Sequence, residues 1–408
     1  MKALVLAGGF PQIELLKQLH NRGIETVLAD YYENPVAKPY ADKFYRESTL
    51  DIPAITRIAV EEKVDFLITC CTDQALLTVA KVSEELGLPC YIDHQTGLNV
   101  TNKQYMKKVF NAFDIPTAKH VIVASYDEQQ LAGLTFPLIV KPVDCNSSKG
   151  VKRVETTEEL KAAIEKAVTY SRTDTAIVEE FIDGEELSAD VYVEDGKAHL
   201  LSISSLDKIA DSDKFVIFRG RYSADVVEKV HDLVQGIAQK IADAFGLKNS
   251  PMLIQMITDG KRAAVLEFSA RTGGGVKFML IKKASGFDVI SAVIDLTLGL
   301  KPHIDKVSPE NKLIANEFIY CKPGTFDHLE NFEELKAEGV ISEYCLFKTK
   351  GSVFDTIDSS GDRVGGFTVQ ADTLEELRAK HVEAVARLKV VAENGSDMMR
   401  RDLLTDLT

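Results

Sequence analysis

Short apolar runs alternate with amphipathic stretches through the first hundred residues, and this rhythm confines that part of the chain to a parallel α/β sheet. Strands are predicted at Lys2–Ala7, Thr26–Ala29 and Phe66–Thr69, with helices at Ile13–Leu19, Ile52–Glu62 and Leu76–Leu86 between and after them. Parallel neighbours need a crossover of roughly a dozen residues, which a helix supplies. After residue 100 the pattern changes. A helix at Thr101–Phe113, capped by Thr101 or Asn102, places Met106, Val109, Phe110 and Phe113 on one face, and Ile115-Pro116-Thr117 ends it. Strands then follow in pairs at Phe136–Pro142, Val151–Val154, Ala176–Phe181, Leu187–Val193 and His199–Ser204, which implies an antiparallel α+β unit. A long helix is predicted at Val226–Phe245. Next come a hairpin of Met252–Thr258 and Ala263–Phe268 turned at Asp259-Gly260, and a final helix at Leu374–Val391.

The first strand runs into Gly8-Gly9-Phe10 and the second ends at Asp30, as at the start of a dinucleotide-binding unit. The third glycine of that fingerprint is missing, and Pro11 occupies the turn that would aim helix N–H groups at a pyrophosphate. Gly8-Gly9 and Cys71-Thr72-Asp73-Gln74 lie at the carboxyl ends of strands, where open sheets bind ligands; they read equally well as ordinary tight turns.

With 62 acidic and 48 basic residues, the formal charge of −14 disfavours a general grip on nucleic-acid phosphates. No segment approaches the run of about 18 apolar residues that spans a bilayer, and the opening run breaks into glycines instead of a cleavage site, so neither a membrane role nor export is expected. The cytoplasm is the default. The six cysteines show neither CxxC nor Cys/His ligand spacing and are read mostly as reduced core residues.

Three segments carry chemistry. An apolar strand delivers Lys141 at its end, ahead of the small-residue loop Ser147-Ser148-Lys149-Gly150, whose N–H groups and hydroxyls could close on phosphates. Glu179, Glu180, Phe181, Ile182 and Glu186 put acids beside apolar residues at a strand end, where a purine amino group and a ribose would supply donors; the alternative is a solvated acidic turn. In Leu266-Glu267-Phe268-Ser269-Ala270-Arg271, period-two alternation sends Glu267, Ser269 and Arg271 to one face, with Gln255 on the partner strand and Gly273-Gly274-Gly275 following. Hard oxygens on paired strands suit Mg²⁺ that keeps its waters and a nucleotide's phosphates. The alternative is a solvent-facing hairpin ending in an exposed arginine. A regular two-residue turn would pair Gln255 with Ala264 and send Glu267 to the opposite face, so a shared metal site requires an odd loop or a bulge.

In this order the residues resemble the ATP-grasp superfamily, nearest the L-amino acid ligases and the carbamoyl phosphate synthetase-like carboxylate-amine ligases. The resemblance implies a Rossmann-like preATP-grasp domain over 1–100, a two-lobed α+β ATP-grasp domain over 101–310 with a mobile lid lobe at about 117–185, and a small C-terminal α+β element over 311–408. It assigns Lys103 and Lys141 to nucleotide phosphates, Ser147 to Gly150 to a lid, Glu179 and the Glu180 to Ile182 backbone to adenine, and Glu186 to the ribose. It also assigns Gln255, Glu267 and Ser269 to Mg²⁺ or Mn²⁺, and Arg271, with Lys141, to catalysis; Gly8, Gly9, Asp73 and the three glycines would face substrate. Gln stands where many relatives carry Glu, Ser where Asn is usual, and the lid is poor in glycine. The activity implied is ATP-dependent joining of a small carboxylate to an amine through an acyl phosphate, with a homodimer left open. A bicarbonate-activating enzyme is the alternative suggested by Gln255. A nucleotide-binding regulatory protein with a degraded site is the alternative suggested by Ser269 and the lid. Cys145 reads as lid filler, since nothing near it in sequence specifies an activating base.

Overall fold

The computed structural model describes residues 1–145, 150–209, 215–304 and 313–407. Its first part comprises β1 (Lys2–Leu6), α1 (Phe10–Asn21), β2 (Glu25–Asp30), β3 (Lys43–Arg46), α2 (Ile52–Glu62), β4 (Phe66–Ile68), α3 (Asp73–Leu86) and α4 (His94–Thr101). The four strands form a parallel sheet in the order β3-β2-β1-β4. Asp51 and Pro53 start α2 where expected, the aspartate accepting from the Ala54 N–H. Pro11 sits inside the first turn of α1, where its missing N–H costs nothing.

Next come α5 (Lys103–Ala112), β5 (His120–Val123), α6 (Glu128–Leu131), β6 (Leu138–Pro142), β7 (Lys152–Val154), α7 (Thr157–Tyr170) and β8 (Ala176–Glu180). Asn102 is the cap of α5, accepting from the Tyr105 N–H at 3.0 Å. Strands β5-β8-β6-β7 form a small antiparallel sheet under α7.

The largest sheet has eight strands. It uses β9 (Glu185–Glu194), β10 (Lys197–Lys208), β11 (Ile217–Tyr222), then, after α8 (Ala224–Phe245), β12 (Ser250–Thr258) and β13 (Ala263–Ser269). Helices α9 (Lys277–Ser285) and α10 (Val289–Thr297) follow, then β14 (Leu313–Ile319), β15 (Gly324–Glu330), α11 (Phe332–Ala337), β16 (Glu343–Leu346), β17 (Val353–Phe354), β18 (Gly365–Ala371), α12 (Leu374–Arg387) and β19 (Lys389–Ala392). The order β13-β12-β9-β10-β11-β14-β18-β16 shows that β14, β18 and β16 extend this sheet, whereas β17, β15 and β19 form a separate three-stranded one. The last helix is shorter than expected: it stops at Arg387, and the β-branched Val390-Val391 pair joins β15 as β19.

The two faces of this sheet differ. Directly opposed residues in antiparallel pairs share a face. One row, Phe268, Ile254, Ala189 and Ile203, is buried with Val230, Val234, Ile237 and Ile241 of α8 in the main core. The spacing of those α8 residues is that of a helix burying a single stripe. The neighbouring row on the other face, Glu267, Gln255, Ser188 and Ser204, is polar.

Farther along the sheet, buried Arg219 on β11 donates from Nε to Glu317 Oε1 at 2.5 Å. It also bonds His381 of α12 at 3.1 Å and the carbonyls of Thr405 and Asp406, latching the chain's end to the sheet. Glu317→Gln should therefore lower stability by about 3 kcal/mol, near the lower end for breaking a buried pair because Asp207 stays 3.7 Å from Arg219. Urea denaturation checks this; an unchanged midpoint would remove the pair from the account.

Candidate active site

The hairpin of β12 and β13 decides where Glu267 points. Its turn is four residues long, Asp259 to Arg262, because Thr258 pairs with Ala263. An even loop with regular pairing would leave Gln255 and Glu267 on opposite faces. A register shift between Gln255 and Met256 corrects this: Met256 pairs with Val265, Gln255 pairs with Glu267, and Leu266 is the extra residue of a bulge.

Two cavities meet at this pair. The first, about 930 Å³ of open space between the small antiparallel sheet and the large one, is lined by Lys103, Lys141, Glu179, Phe181, Glu186 and Leu266 among others. The second, about 1320 Å³, lies over the polar face and includes Arg271 and Gly273 to Gly275; both share Ile217, Gln255 and Glu267.

Charge inside the first cavity is arranged as pairs. Glu179, on β8, lies between Lys141 of β6 and Lys107 of α5, the latter at 2.6 Å. Burial pushes the Glu179 carboxyl up, but the two ammonium groups outweigh it and bring it down to about 2. Burial likewise lowers Lys107, with Glu179 only partly opposing it. Lys103, at the start of α5, reaches Glu267 at 3.0 Å and donates to the Cys145 carbonyl at 2.8 Å. Burial lowers Lys103, yet Glu267 more than compensates and leaves it above its ordinary value. Glu186 pairs with Lys208 at the cavity's other side.

The comparisons with known proteins fit this geometry. Residues 134–279 match the model of the ATP-grasp domain, and residues 317–393 match the L-amino acid ligase C-terminal domain 2. The chain contains an ATP-grasp domain and is similar to ATP-grasp ligases. It is 24% identical over 407 residues to the phosphoribosylamine–glycine ligase of Streptomyces coelicolor, covering 95% of this chain and 96% of that one. It is also 24% identical to the N-terminal section of the carbamoyl phosphate synthase large chain of Methanopyrus kandleri, over 75% of this chain but only 56% of the relative's length. The solved L-amino acid ligase of Bacillus licheniformis shares the fold, with a TM-score of 0.79, 21% identity and coverage of 96% and 99%. The ATP-grasp family uses ATP and Mg²⁺.

Several expected site residues of this ATP-grasp chain stand elsewhere than in the cavities. Gly8 and Gly9 line neither cavity. Gly8 donates to Asp30 at 2.6 Å, and Asp30 also accepts from the Tyr32 N–H, so this carboxylate serves its own backbone. Asp73 is buried and takes a two-pronged bond from Arg271, with Nε at 2.7 Å, and a further bond from Ser269. Burial raises the Asp73 carboxyl, but Arg271 reverses this and leaves it lowered. Gly150 packs on Pro142, to which a Cβ would come within 2.9 Å, whereas Ser147, Ser148 and Lys149 lie outside the described residues. Cys145 donates from Sγ to the Tyr170 carbonyl at 3.1 Å. Lys107 was not anticipated; its signal is its place one turn after Lys103, on the buried face of α5.

Because the Glu179 carboxyl is depressed, its stabilising contribution is complete above about 4.5 and is lost as pH falls towards about 2. Wild type should lose more stability than Glu179→Gln across that window, by chemical denaturation. Parallel pH curves for the two proteins would contradict the assignment.

Proposed function

We propose that this chain is a cytoplasmic carboxylate-amine ligase that uses ATP to activate a small acid, an amino acid among the candidates, as an acyl phosphate and transfers the acyl group to an amine. One observation carries the reading: a cavity ending in lysines opens, across the Gln255 and Glu267 pair, into a second cavity beside Arg271.

Nucleotide fits the first cavity. The N–H groups of Glu180 and Phe181 are bonded to the Lys119 and Pro137 carbonyls, so in this stretch the Ile182 N–H is the donor left for an adenine edge among the described residues. Glu186 would face the ribose, and Lys141 and Lys103 the phosphates. Their buried counter-charges hold these lysines in place before ATP arrives, so less ordering is paid on binding.

The residues at the junction also fit a divalent cation. Glu267 Oε1 and the Gln255 amide have no hydrogen-bond partner among the described residues, and no cluster of three or more His, Cys, Asp or Glu suited to a metal occurs there. Such a pair suits Mg²⁺ shared with phosphates and waters, not a cage of protein ligands. When bound, the ion would neutralise charge on the transferring phosphoryl group.

The acid's carboxylate oxygen attacks the γ-phosphorus, the bond to ADP breaks, and the amine then attacks the acyl carbon as phosphate leaves. No side-chain nucleophile is needed, since positioning and charge stabilisation do the chemistry. Arg271, oriented by Asp73, keeps part of its donor set for the reacting carboxylate.

Lys141→Ala should weaken ATP binding about tenfold or more by calorimetry while the protein stays folded; unchanged affinity would refute its role. Arg271→Lys should retain ATP binding but lose about ten- to a hundredfold in turnover, because a point charge does not reproduce the planar fork. Phosphate release with bicarbonate and no organic acid would favour the bicarbonate alternative, and tight ATP binding without turnover on any acid the regulatory one.

A further inference from the structure

Among the described residues, four cations line the second cavity: Arg271, Lys277, Lys348 and Arg363. The first two are neutralised inside the fold, Arg271 by Asp73 and Lys277 by Asp190 at 3.2 Å. The last two come from the C-terminal part and pair with no carboxylate among the described residues.

Arg363 is held rigidly by neutral groups. Its guanidinium lies 3.7 Å from the centroid of the Phe318 ring. Nε donates to the Tyr320 hydroxyl at 3.0 Å, and Nη2 to the Ile217 carbonyl at 2.8 Å and the Ser360 hydroxyl at 3.2 Å. Nη1 has no hydrogen-bond partner among the described residues and keeps its two donors. Lys348 stands beside it, because the Phe347 N–H bonds the Val364 carbonyl at 2.9 Å and brings the two segments together. Its ammonium is 5.6 Å from the Tyr32 ring centroid, at the edge of a cation–π contact. A partly desolvated guanidinium that is fixed in direction and lacks a counter-ion is prepared for an anion.

The distance to the chemistry is bridged by one ring. A Cβ on Gly275, four residues after Arg271, would lie 3.5 Å from Phe318, and Arg363 stacks on that same ring. The cavity is thus lined by Arg271 and by two cations without a carboxylate partner among the described residues, Lys348 and Arg363, with Phe318 and Phe347 also in its wall. Building on the ligase reading, we propose that the acid activated here carries a second anionic group, a carboxylate or a phosphate-like group, bound by Lys348 and Arg363 while its reacting carboxylate meets Arg271.

The test uses the full chain with MgATP and hydroxylamine as the amine. Hydroxylamine nitrogen attacks the acyl phosphate, forming a hydroxamate as phosphate leaves, so the assay reports on the acid alone. Succinate is compared with butyrate, glutarate with valerate, and 3-phosphonopropionate serves as the phosphate-like arm. The expected result is a preference for the dianionic partner of about tenfold or more in kcat/KM. That ratio should fall about tenfold or more in Lys348→Met and in Arg363→Gln. Lys348 makes no hydrogen bond or ion pair within the described residues, so Lys348→Met gives a folded variant even if Arg363→Gln does not. Preference for the phosphonate over the dicarboxylates identifies the second group as phosphate-like, and the reverse as carboxylate. Equal use of mono- and dianionic acids, or an unchanged ratio in Lys348→Met, would overturn the proposal and leave the ligase reading standing. No hydroxamate from any acid, by contrast, would overturn the ligase reading itself.

Discussion

A β-sheet side chain must point to one face or the other, and the eight-stranded sheet uses this period of two to keep an apolar core and a polar cavity one atom layer apart. Phe268, Ile254, Ala189 and Ile203 close on α8, while Glu267, Gln255, Ser188 and Ser204 face the cavities. Such an arrangement tolerates no slip, since one residue of register would bury the acid and expose the phenylalanine. The bulge at Leu266 is what reconciles a four-residue turn with Gln255 and Glu267 standing opposite each other.

Buried charge imposes the second constraint. Lys107 is only 1% exposed and Glu179 2%, so neither could persist without the other. Helix α5, strands β6 and β8 of the small sheet and strand β13 of the large one must meet for Lys103, Lys107 and Lys141 to find Glu267 and Glu179. The ion pairs therefore tie the small antiparallel sheet to the large one where a nucleotide would lie. Their cost in desolvation is offset by a cleft whose cations are already oriented.

Much of the fold was legible in the sequence because its signals are local. Capping at Asn102 and the alternation in β9, β10, β12 and β13 each need only a few neighbouring residues. Errors arose where local and tertiary signals differ. The sequence does not predict β3, with the half-buried pattern of Lys43-Phe44-Tyr45-Arg46, nor β11 or the polar helix α4, and it carries the last helix through Val390-Val391 until pairing with β15 is considered. In the site, motif order placed Lys103, Lys141, Glu179, Glu186, Gln255, Glu267 and Arg271 at the two cavities. It gave no warning of Lys348 and Arg363, which belong to no motif and converge only through the pairing of β16 with β18. Nor could it foresee that Asp30 and Asp73 turn to protein partners, because a carboxylate's partner across the fold is invisible to spacing.

The claim on which the account rests is that a carboxylate oxygen becomes bonded to the γ-phosphorus of ATP at the junction of the two cavities. Turnover of an acid labelled with ¹⁸O in its carboxylate tests this most directly, with the released phosphate read by mass spectrometry. Acyl-phosphate formation predicts that each phosphate carries a single oxygen from the acid. Phosphate released with no label, while an amide product forms, would contradict it.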